Sequence, residues 1–277
     1  MATAPSITLN DGQSIPAVGL GVWQTPPDET ERAVGAALSA GYRHVDTAAA
    51  YGNEEGVGRA VAASGLARDE VYVVTKLWNS EQGYDSTLRA FDASMAKLGL
   101  ERLDLYLIHW PMPEVDAFVD TFKAFAHLRE QGRITSIGVS NFEPEHLRAV
   151  IDATGIVPAV NQVELHPLLP QQALREVHGE LGVATEAWSP LGQGSLLSHP
   201  AVTSIADAHG KTPAQVLIRW HLHLGNIVIP KSVNPERIVS NFDVFDFDLS
   251  DEDMASIASL EDGTRLGPDP RTFNFKG

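Results

Sequence analysis

The sequence predicts an α/β protein built as a single (β/α)8 barrel, the TIM-barrel class, and three observations support this. Segments with the apolar period of a helix alternate with short apolar strands at intervals of about 30 residues. The strands carry few alternating polar residues, which is typical of a parallel sheet that is buried on both faces. Polar residues of different chemical types directly follow the strands, where the carboxyl ends of a barrel meet at one mouth.

The chain begins with a predicted β-hairpin. Residues 6–9 and 13–15 are short extended segments, and Asp11-Gly12 between them is a typical hairpin turn. We expect this hairpin to cap the bottom of the barrel. The first barrel strand is predicted at residues 17–21.

Glycines mark the remaining seven units of the barrel. Each one follows a helix-period segment, at the position where a helix end favours a left-handed residue. These glycines are Gly41, Gly65, Gly99, Gly132, Gly155, Gly182 and Gly225. The strands predicted after them cover residues 42–45, 71–75, 103–108, 134–139, 158–163, 183–188 and 227–229. Together with the first strand they give the number that a closed barrel of this class requires.

A doubly wound dinucleotide-binding sheet is the competing fold. In that fold a strand leads into G-x-G-x-x-G, but Gly19-Leu20-Gly21 and Gly56-Val57-Gly58 both lack the third glycine. No low-complexity stretch or linker divides the chain. We therefore predict one domain over residues 1–277.

Composition excludes several classes of function. A net charge of −16 argues against a nucleic-acid or anionic-membrane partner, so any phosphate must be bound by a small local basic cluster. The absence of cysteine excludes disulfide and thiol chemistry. No apolar run reaches the ~20 residues of a membrane helix, and the N-terminus lacks the features of a signal peptide. We therefore expect a cytoplasmic protein.

Three strand ends carry the residues of a proton-donor site. Asp46, Lys76 and His109 close successive predicted strands, and Tyr51 lies in the loop after Asp46. A tyrosine hydroxyl with a pKa near ~10 is a poor acid at neutral pH unless a neighbouring cation lowers that pKa. Lys76, held in place by Asp46, would supply the cation. Without a cysteine or a nucleophilic serine, the group suits proton delivery to a carbonyl oxygen, which also requires a hydride-donating cofactor.

Later strand ends offer a place for such a cofactor. Trp188 gives an aromatic face before a glycine-bearing loop at residues 189–194, whose amides could approach a pyrophosphate. Side chains that can hold a carboxamide follow or end two other strands, namely Ser140, Asn141 and Gln162. After the last strand, residues 231–237 combine a lysine, a serine, an arginine and a helix N-terminus. Barrels of this class often bind phosphate there.

The sequence resembles the aldo-keto reductase family, and closely its bacterial 2,5-diketo-D-gluconate reductase-like branch. The similarity covers nearly the whole chain and rests on long, ordered motifs. These are GYRHVDTA at residues 41–48, YGNE at 51–54, TKLW at 75–78, LIHWP at 107–111, GVSNF at 138–142, NQVELHP at 161–167 and IPKS at 229–232.

The resemblance implies NADPH-dependent reduction of an aldehyde, ketone or dicarbonyl by a monomer that needs no metal. Within it, the catalytic tetrad corresponds to Asp46, Tyr51, Lys76 and His109, with Tyr51 as the proton donor. The cofactor contacts that it implies are Gly21, Val22, Ser140, Asn141, Gln162, Trp188, Ser189, Pro190, Leu191, Gly192, Ile229, Lys231, Ser232, Val233, Asn234, Arg237, Ser240 and Asn241. The substrate pocket that it implies is formed by Trp23, Trp78, His109 and Trp110.

The chain departs from the family's pattern in three places. Trp188 stands where many animal members have tyrosine, and Val22 stands where many members have threonine. The C-terminal tail from Gly263 is too short to form the long specificity loop of larger relatives. We therefore expect an open, permissive substrate site.

Two other classes of protein stay open on the sequence alone. A redox-sensing regulatory protein that binds NADPH with little turnover would keep the same residues. A metal-dependent barrel hydrolase would need histidines and carboxylates grouped at strand ends. The only close histidine pair of that kind, His221 and His223, lies inside a helix-period segment.

Overall fold

The computed structural model describes residues 4–276, which contain ten strands and ten α-helices. The strands are β1 (Ser6–Thr8), β2 (Ser14–Pro16), β3 (Leu20–Gly21), β4 (His44–Asp46), β5 (Tyr72–Leu77), β6 (Leu103–Ile108), β7 (Ile134–Ser140), β8 (Val160–Glu164), β9 (Ala184–Trp188) and β10 (Ile227–Val228). The helices are α1 (Pro27–Ala40), α2 (Glu54–Ala63), α3 (Tyr84–Leu98), α4 (Phe118–Glu130), α5 (Pro144–Thr154), α6 (Gln172–Leu181), α7 (Pro200–His209), α8 (Pro213–His223), α9 (Pro235–Phe242) and α10 (Asp251–Ala258). Residues 1–3 and 277, which the predicted domain includes, lie outside the described residues.

Strands β3 to β10 form one parallel sheet in which the strands pair in chain order. The sheet closes on itself because residues around β3 pair with residues around β10. Val18 with Val228 and Gly21 with Lys231 form parallel bridges, and Gly19 N donates to Val228 O at 2.9 Å. The predicted (β/α)8 barrel is therefore confirmed.

The two strands β1 and β2 form the predicted hairpin and pair antiparallel. Gly12 in the turn between them has φ 83°, a value that favours glycine. Leu9 and Ile15 pack against apolar strand residues of the barrel interior. Asn10 Nδ2 donates to Pro158 O at 3.0 Å, just before β8 begins. The hairpin therefore caps the barrel at the amino ends of its strands, as predicted.

The seven glycines that mark the units all have positive φ, between 66° and 111°. Gly41 shows why, because at φ 111° its N–H donates to Leu38 O at 3.2 Å and the chain leaves α1 toward β4. One unit differs from simple alternation, since both α7 and α8 lie between β9 and β10. Thr212 caps the second of these helices by accepting a hydrogen bond from Gln215 N at 3.3 Å.

An aromatic layer fixes β6, the strand that leads to His109. Tyr106 on β6 stacks on Phe125 of α4 with ring centroids 4.4 Å apart, and Phe91 of α3 meets the same tyrosine edge-on. All three side chains are fully buried. Truncating such a buried aromatic residue to alanine typically costs about 3–5 kcal/mol. Packing outside the barrel therefore holds the strand that carries a site residue.

The carboxyl ends of the strands meet at the opposite end from the hairpin. Asp46 and Lys76 lie at the ends of adjacent strands β4 and β5, and His109 directly follows β6. Among residues 4–276, no helix has the length and apolar content to cross a membrane.

Candidate active site

A buried ion pair lies at the bottom of the mouth. Lys76 Nζ lies 2.6 Å from Asp46 Oδ1, and neither side chain is more than 3% exposed. The same ammonium donates to the backbone oxygen of Thr47 at 2.9 Å and lies 3.4 Å from Tyr51 Oη. The structure thus brings together three of the four residues of the predicted proton-donor site. We call Asp46, Tyr51 and Lys76 the floor.

The loop that carries Tyr51 is fixed by a residue whose role the sequence did not reveal. Asn53 is buried, and its Nδ2 donates to Val22 O at 2.9 Å and to Thr25 O at 3.2 Å. Its Oδ1 accepts a hydrogen bond from Thr47 Oγ1 at 2.7 Å. These bonds tie both ends of the turn at Ala49–Tyr51 to the barrel. The position of the Tyr51 hydroxyl is therefore set by the fold.

For both Tyr51 and Lys76, burial and the neighbouring charges shift the pKa in opposite directions. Burial raises the pKa of Tyr51 above its ordinary value, and the Lys76 ammonium offsets this only in part. The sequence predicts a lowered pKa, because it does not show how little water reaches the hydroxyl. Burial alone would lower the pKa of Lys76, but the charge and hydrogen bond of Asp46, together with Tyr51 and Glu186, outweigh burial, so that this pKa lies above its ordinary value. At neutral pH, Lys76 is therefore a fixed cation and Tyr51 keeps its proton.

His109 completes the predicted tetrad on the side of β6. Its ring centroid lies 5.7 Å from that of Tyr51 and 5.2 Å from that of Trp78, both in edge-on arrangements. Burial, assisted by repulsion from Lys76, holds the pKa of His109 well below its ordinary value. The imidazole is therefore neutral and can donate one hydrogen bond without carrying a charge.

Side chains from the ends of β7, β8 and β9 form a hydrogen-bonded wall beside the floor. Ser140 Oγ donates to Gln162 O at 2.8 Å, and Asn141 Nδ2 donates to His109 O at 2.9 Å. Trp188 Nε1 donates to Asn141 Oδ1 at 2.8 Å, which fixes the plane of the indole ring. The residues predicted to hold a nicotinamide are thus connected to one another by hydrogen bonds.

These residues surround one cavity of about 610 Å³, a size typical of small-molecule sites. Of the predicted site residues, it is lined by Gly21, Trp23, Asp46, Tyr51, Trp78, His109, Trp110, Ser140, Asn141, Gln162, Trp188, Ser189, Pro190, Ile229 and Lys231. Lys76 lies beneath it, fully buried. The lining residues that sequence reasoning missed are Ala50, Leu266, Gly267 and Pro268, and Gln193 belongs to the loop at residues 189–194 that the sequence predicts only as a loop.

Other predicted cofactor residues lie beside the cavity instead of lining it. The side chain of Val22 is buried in the apolar core. The others are Leu191, Gly192, Ser232, Val233, Asn234, Arg237, Ser240 and Asn241. Six of these follow β10 and Lys231 in the chain: Ser232, Val233 and Asn234 precede α9, and Arg237, Ser240 and Asn241 lie on it.

The segment of residues 231–237 combines two cations with a helix N-terminus. Asn234 caps α9 by accepting a hydrogen bond from Arg237 N at 3.1 Å. Lys231 and Arg237 are exposed, and no carboxylate of residues 4–276 forms an ion pair with either side chain. In a chain with a net charge of −16, two such cations at a helix N-terminus suit an anionic ligand.

The C-terminal tail covers part of the mouth. Phe273 packs on Trp110 with ring centroids 4.4 Å apart, and Phe275 lies 6.5 Å from Trp78. Asn79 Nδ2 donates to Phe275 O at 2.9 Å. We call Leu266, Gly267, Pro268, Phe273 and Phe275 the tail wall. The sequence predicts an open, permissive site from the shortness of the tail, whereas the tail folds back onto Trp110 and Trp78.

A buried carboxylate ties the tail wall to the barrel. Glu164, the last residue of β8, accepts hydrogen bonds from the backbone N–H groups of Leu266 and Gly267 and from His166 Nε2. Burial opposes the charge, but these hydrogen bonds hold the pKa of Glu164 below its ordinary value. Gly267 packs so closely on the Trp188 ring that a side chain there would clash. The tail wall therefore contacts the predicted stacking residue directly.

The histidine pair considered as a metal motif lies inside α8, as its period predicts. His221 is buried, and one of its ring nitrogens lies 3.0 Å from Pro190 O. Within the part of the chain that the structure describes, no group of three or more His, Asp or Glu side chains is arranged to hold a metal ion.

Comparison with known proteins gives consistent matches along the chain. The model of the Aldo/keto reductase family matches residues 17–262. A protein of Mycobacterium sp. (strain KMS) called aldo-keto reductase is 77% identical over 274 residues, which is 99% of each chain. A protein of the same name from Mycolicibacterium smegmatis is 76% identical over 274 residues, covering 99% of this chain and 100% of that one.

Solved structures agree with this match and include cofactor complexes. A variant of the protein Gox0644 in complex with NADPH is 52% identical, with a TM-score of 0.95 over 99% of this chain and 100% of that one. The Bombyx mori aldo-keto reductase in complex with NADP is 37% identical, with a TM-score of 0.91 over 97% of this chain and 96% of that one. Both complexes agree with the cofactor expected from the sequence. This chain therefore belongs to the aldo-keto reductase family, a family of oxidoreductases.

Proposed function

We propose that this protein reduces aldehydes, ketones or dicarbonyls to alcohols, using NADPH as the hydride donor and Tyr51 as the proton donor. One observation carries the proposal. The Tyr51 hydroxyl lies 3.4 Å from the ammonium of Lys76, which is itself buried against Asp46, and both Tyr51 and Asp46 line the same cavity as neutral His109.

The residues around the cavity fit the cofactor. NADPH, when bound, supplies a hydride to the carbonyl carbon. Trp188 offers a flat face, and the hydrogen-bonded amides of Asn141 and Gln162 can hold a carboxamide. Lys231 and Arg237, which have no carboxylate partner among the described residues, match the additional phosphate that distinguishes NADPH from NADH.

The proton step follows from the floor and His109. The carbonyl oxygen of the substrate would accept hydrogen bonds from Tyr51 Oη and from the neutral imidazole. As the carbonyl carbon receives the hydride, Tyr51 transfers its proton to the oxygen. The resulting phenolate is stabilised by the Lys76 ammonium 3.4 Å away, until a proton from solvent restores the phenol. Lys76 thus acts mainly on the charged state that forms during the reaction.

The test is a panel of aldehydes, ketones and dicarbonyls assayed by the loss of NADPH absorbance. We expect multiple turnovers with at least one dicarbonyl. Binding of NADPH without turnover across the whole panel would contradict the proposal and favour the redox-sensing protein. Binding is measured separately, from quenching of tryptophan fluorescence.

Two further expectations stay predictions. The monomeric state that the resemblance implies is one of them. The cytoplasmic location expected from composition also stays a prediction.

A further inference from the structure

A second buried polar group lies one layer below the floor. Glu186 on β9 and His44 on β4 are both fully buried, and His44 Nε2 lies 3.4 Å from Glu186 Oε1. The other carboxylate oxygen of Glu186 accepts a hydrogen bond from Gln162 Nε2 at 2.9 Å. The same Nε2 donates to Asp46 Oδ2 at 2.9 Å. Gln162 therefore bridges the floor and the lower pair.

The hydrogen bonds define where protons lie in this group. His44 Nδ1 lies 3.2 Å from Pro16 O, and since a carbonyl oxygen can only accept, Nδ1 carries a proton. In a neutral imidazole, Nε2 then presents a lone pair toward Glu186 Oε1. If Glu186 were ionised, a lone pair of its Oε1 would face the lone pair of His44 Nε2, and the two would repel each other. A single proton shared by the two groups removes this repulsion.

Burial and neighbouring charges place that proton on Glu186. Burial lowers the pKa of His44 to about 4. Burial first, then the negative charge of Asp46, raises the pKa of Glu186 to about 8, although the hydrogen bond from Gln162 and the charge of Lys76 oppose this. The remaining titratable groups that sense Glu186 are the hydroxyls of Tyr51 and Tyr72, which are neutral at neutral pH.

We infer that Glu186, protonated and paired with His44, is a positioning residue that fixes the Gln162 amide. Both Nε2 hydrogens of Gln162 are held, one by Asp46 and one by Glu186. Its carbonyl oxygen receives no hydrogen bond from the described residues, so it is free for a donor on the cofactor. The inference rests on the proposed function in one respect, namely that Gln162 holds the nicotinamide carboxamide.

Two variants separate the protonated acid from a carboxylate. Glu186→Gln reproduces the proposed bonds, because its amide oxygen accepts from Gln162 and its NH2 donates to His44 Nε2. Glu186→Leu removes both bonds and leaves one N–H of Gln162 unpaired. The Gln162 amide can then turn, so its oxygen is no longer held toward the cofactor, and losing one hydrogen bond of about 1.4 kcal/mol corresponds to tenfold in affinity. We therefore expect a tenfold weaker NADPH affinity for Glu186→Leu, and an affinity within about twofold of wild type for Glu186→Gln.

The affinity is measured from tryptophan fluorescence, with kcat, KM and Tm recorded alongside. Glu54→Leu is the matched control, because Glu54 is equally buried but bonds Thr75 Oγ1, which points away from the floor. The control should lower Tm and leave NADPH affinity unchanged. Equal losses of affinity for Glu186→Gln and Glu186→Leu would overturn the inference. So would an unchanged affinity for Glu186→Leu.

A double-mutant cycle tests whether Glu186 acts through Gln162. In a Gln162→Met background, Glu186→Leu should weaken NADPH binding no further. Additive losses would overturn the inference. Should Glu186→Leu not fold, infrared difference spectra of wild type against Glu186→Gln give an independent answer. A protonated carboxyl band at neutral pH supports the inference, and its absence overturns it.

These readouts distinguish the two proposals. A wild-type protein that reduces no carbonyl refutes the proposed function. The infrared band and the NADPH affinities still decide the role of Glu186 in that case.

Discussion

The floor and the tail wall both contribute residues to the lining of one cavity, but they are built in different ways. The floor consists of residues from strand ends and from one tightly bonded turn, and the side chains of Asp46 and Lys76 are almost completely buried. The tail wall consists of irregular chain after α10, and Phe275 is 59% exposed. If the proposed function is right, we expect the reaction chemistry to depend on the floor and the choice of carbonyl to depend on the tail wall.

The floor and the tail wall are also attached to the barrel in different ways. Lys76 is held by direct bonds to Asp46 and Thr47 within the barrel. The tail wall is held by Glu164, which bonds two backbone N–H groups, and by an ion pair of 2.6 Å between Arg271 and Glu143. Changes on the floor should therefore alter turnover, and changes on the tail wall should alter substrate preference.

The largest expected effect is on the floor. Tyr51→Phe removes the only proposed proton donor, so kcat should fall about 10³-fold, within the range typical of a positioned general acid. NADPH affinity should stay nearly unchanged, because the hydroxyl acts on the substrate oxygen. Steady-state assays and fluorescence titration measure the two quantities. Tyr84→Phe, at a partly exposed residue of α3, is the control. Near-normal turnover of Tyr51→Phe would remove Tyr51 from its proposed role.

The next largest effect is expected at Arg237, an exposed residue that belongs to neither the floor nor the tail wall. Arg237 lies at the surface like much of the tail wall, yet we expect it to act on the cofactor. Arg237→Ala should weaken NADPH binding about 10- to 100-fold and NADH binding much less, because a charge-assisted contact to the extra phosphate is lost. Arg32→Ala, at an exposed arginine paired with Glu29, should change neither. Equal losses for both cofactors would show that Arg237 does not recognise that phosphate.

A smaller effect is expected on the tail wall. Phe273→Ala removes the ring that packs on Trp110, which itself lines the cavity. KM for bulky apolar carbonyls should change by about three- to tenfold, a size typical of lost apolar contacts in a pocket. The kcat for a small dicarbonyl should stay within twofold. A large fall in kcat for that small substrate would mean that the tail wall takes part in the chemistry.

The smallest expected effect is on how stability depends on pH, and it comes from Glu186, which lies one layer below the floor. The pKa of Glu186 is raised from 4.5 to about 8 by folding, so between these values the folded protein holds a proton that the unfolded chain releases. The stabilisation is complete below the lower value and is lost as pH rises through the upper one. Wild type should therefore lose a few degrees more in Tm between pH 5 and pH 8 than Glu186→Gln does. Calorimetry at a series of pH values measures this, and parallel curves would contradict it.

The sequence predicts most of the barrel, because apolar strands and left-handed glycines are local signals. Strand bounds shift by a few residues: β3 is limited to Leu20–Gly21, since Val18 pairs only as an isolated bridge. The floor is equally predictable, because Asp46 and Lys76 end adjacent strands. The placement of Glu186 could also have been predicted from the sequence. It lies two residues before Trp188, and His44 lies two before Asp46, so strand alternation places both one layer below the mouth.

The tail wall could not be predicted in the same way. Its course depends on contacts far apart in the chain, such as Glu164 with Gly267 and Trp110 with Phe273. No periodic pattern within one segment of the sequence predicts contacts between residues so far apart in the chain. The direction of the pKa shift of Tyr51 also could not be predicted from the sequence, because it depends on how completely the folded chain excludes water from the hydroxyl.

Closure of the barrel also has a consequence for biosynthesis. Gly21, near the start of the chain, reaches its place in the cavity only by pairing with Lys231, which emerges from the ribosome late. The tail that covers the mouth follows later still. A nascent chain therefore exposes an open sheet with two unpaired edges until the residues around Lys231 have emerged.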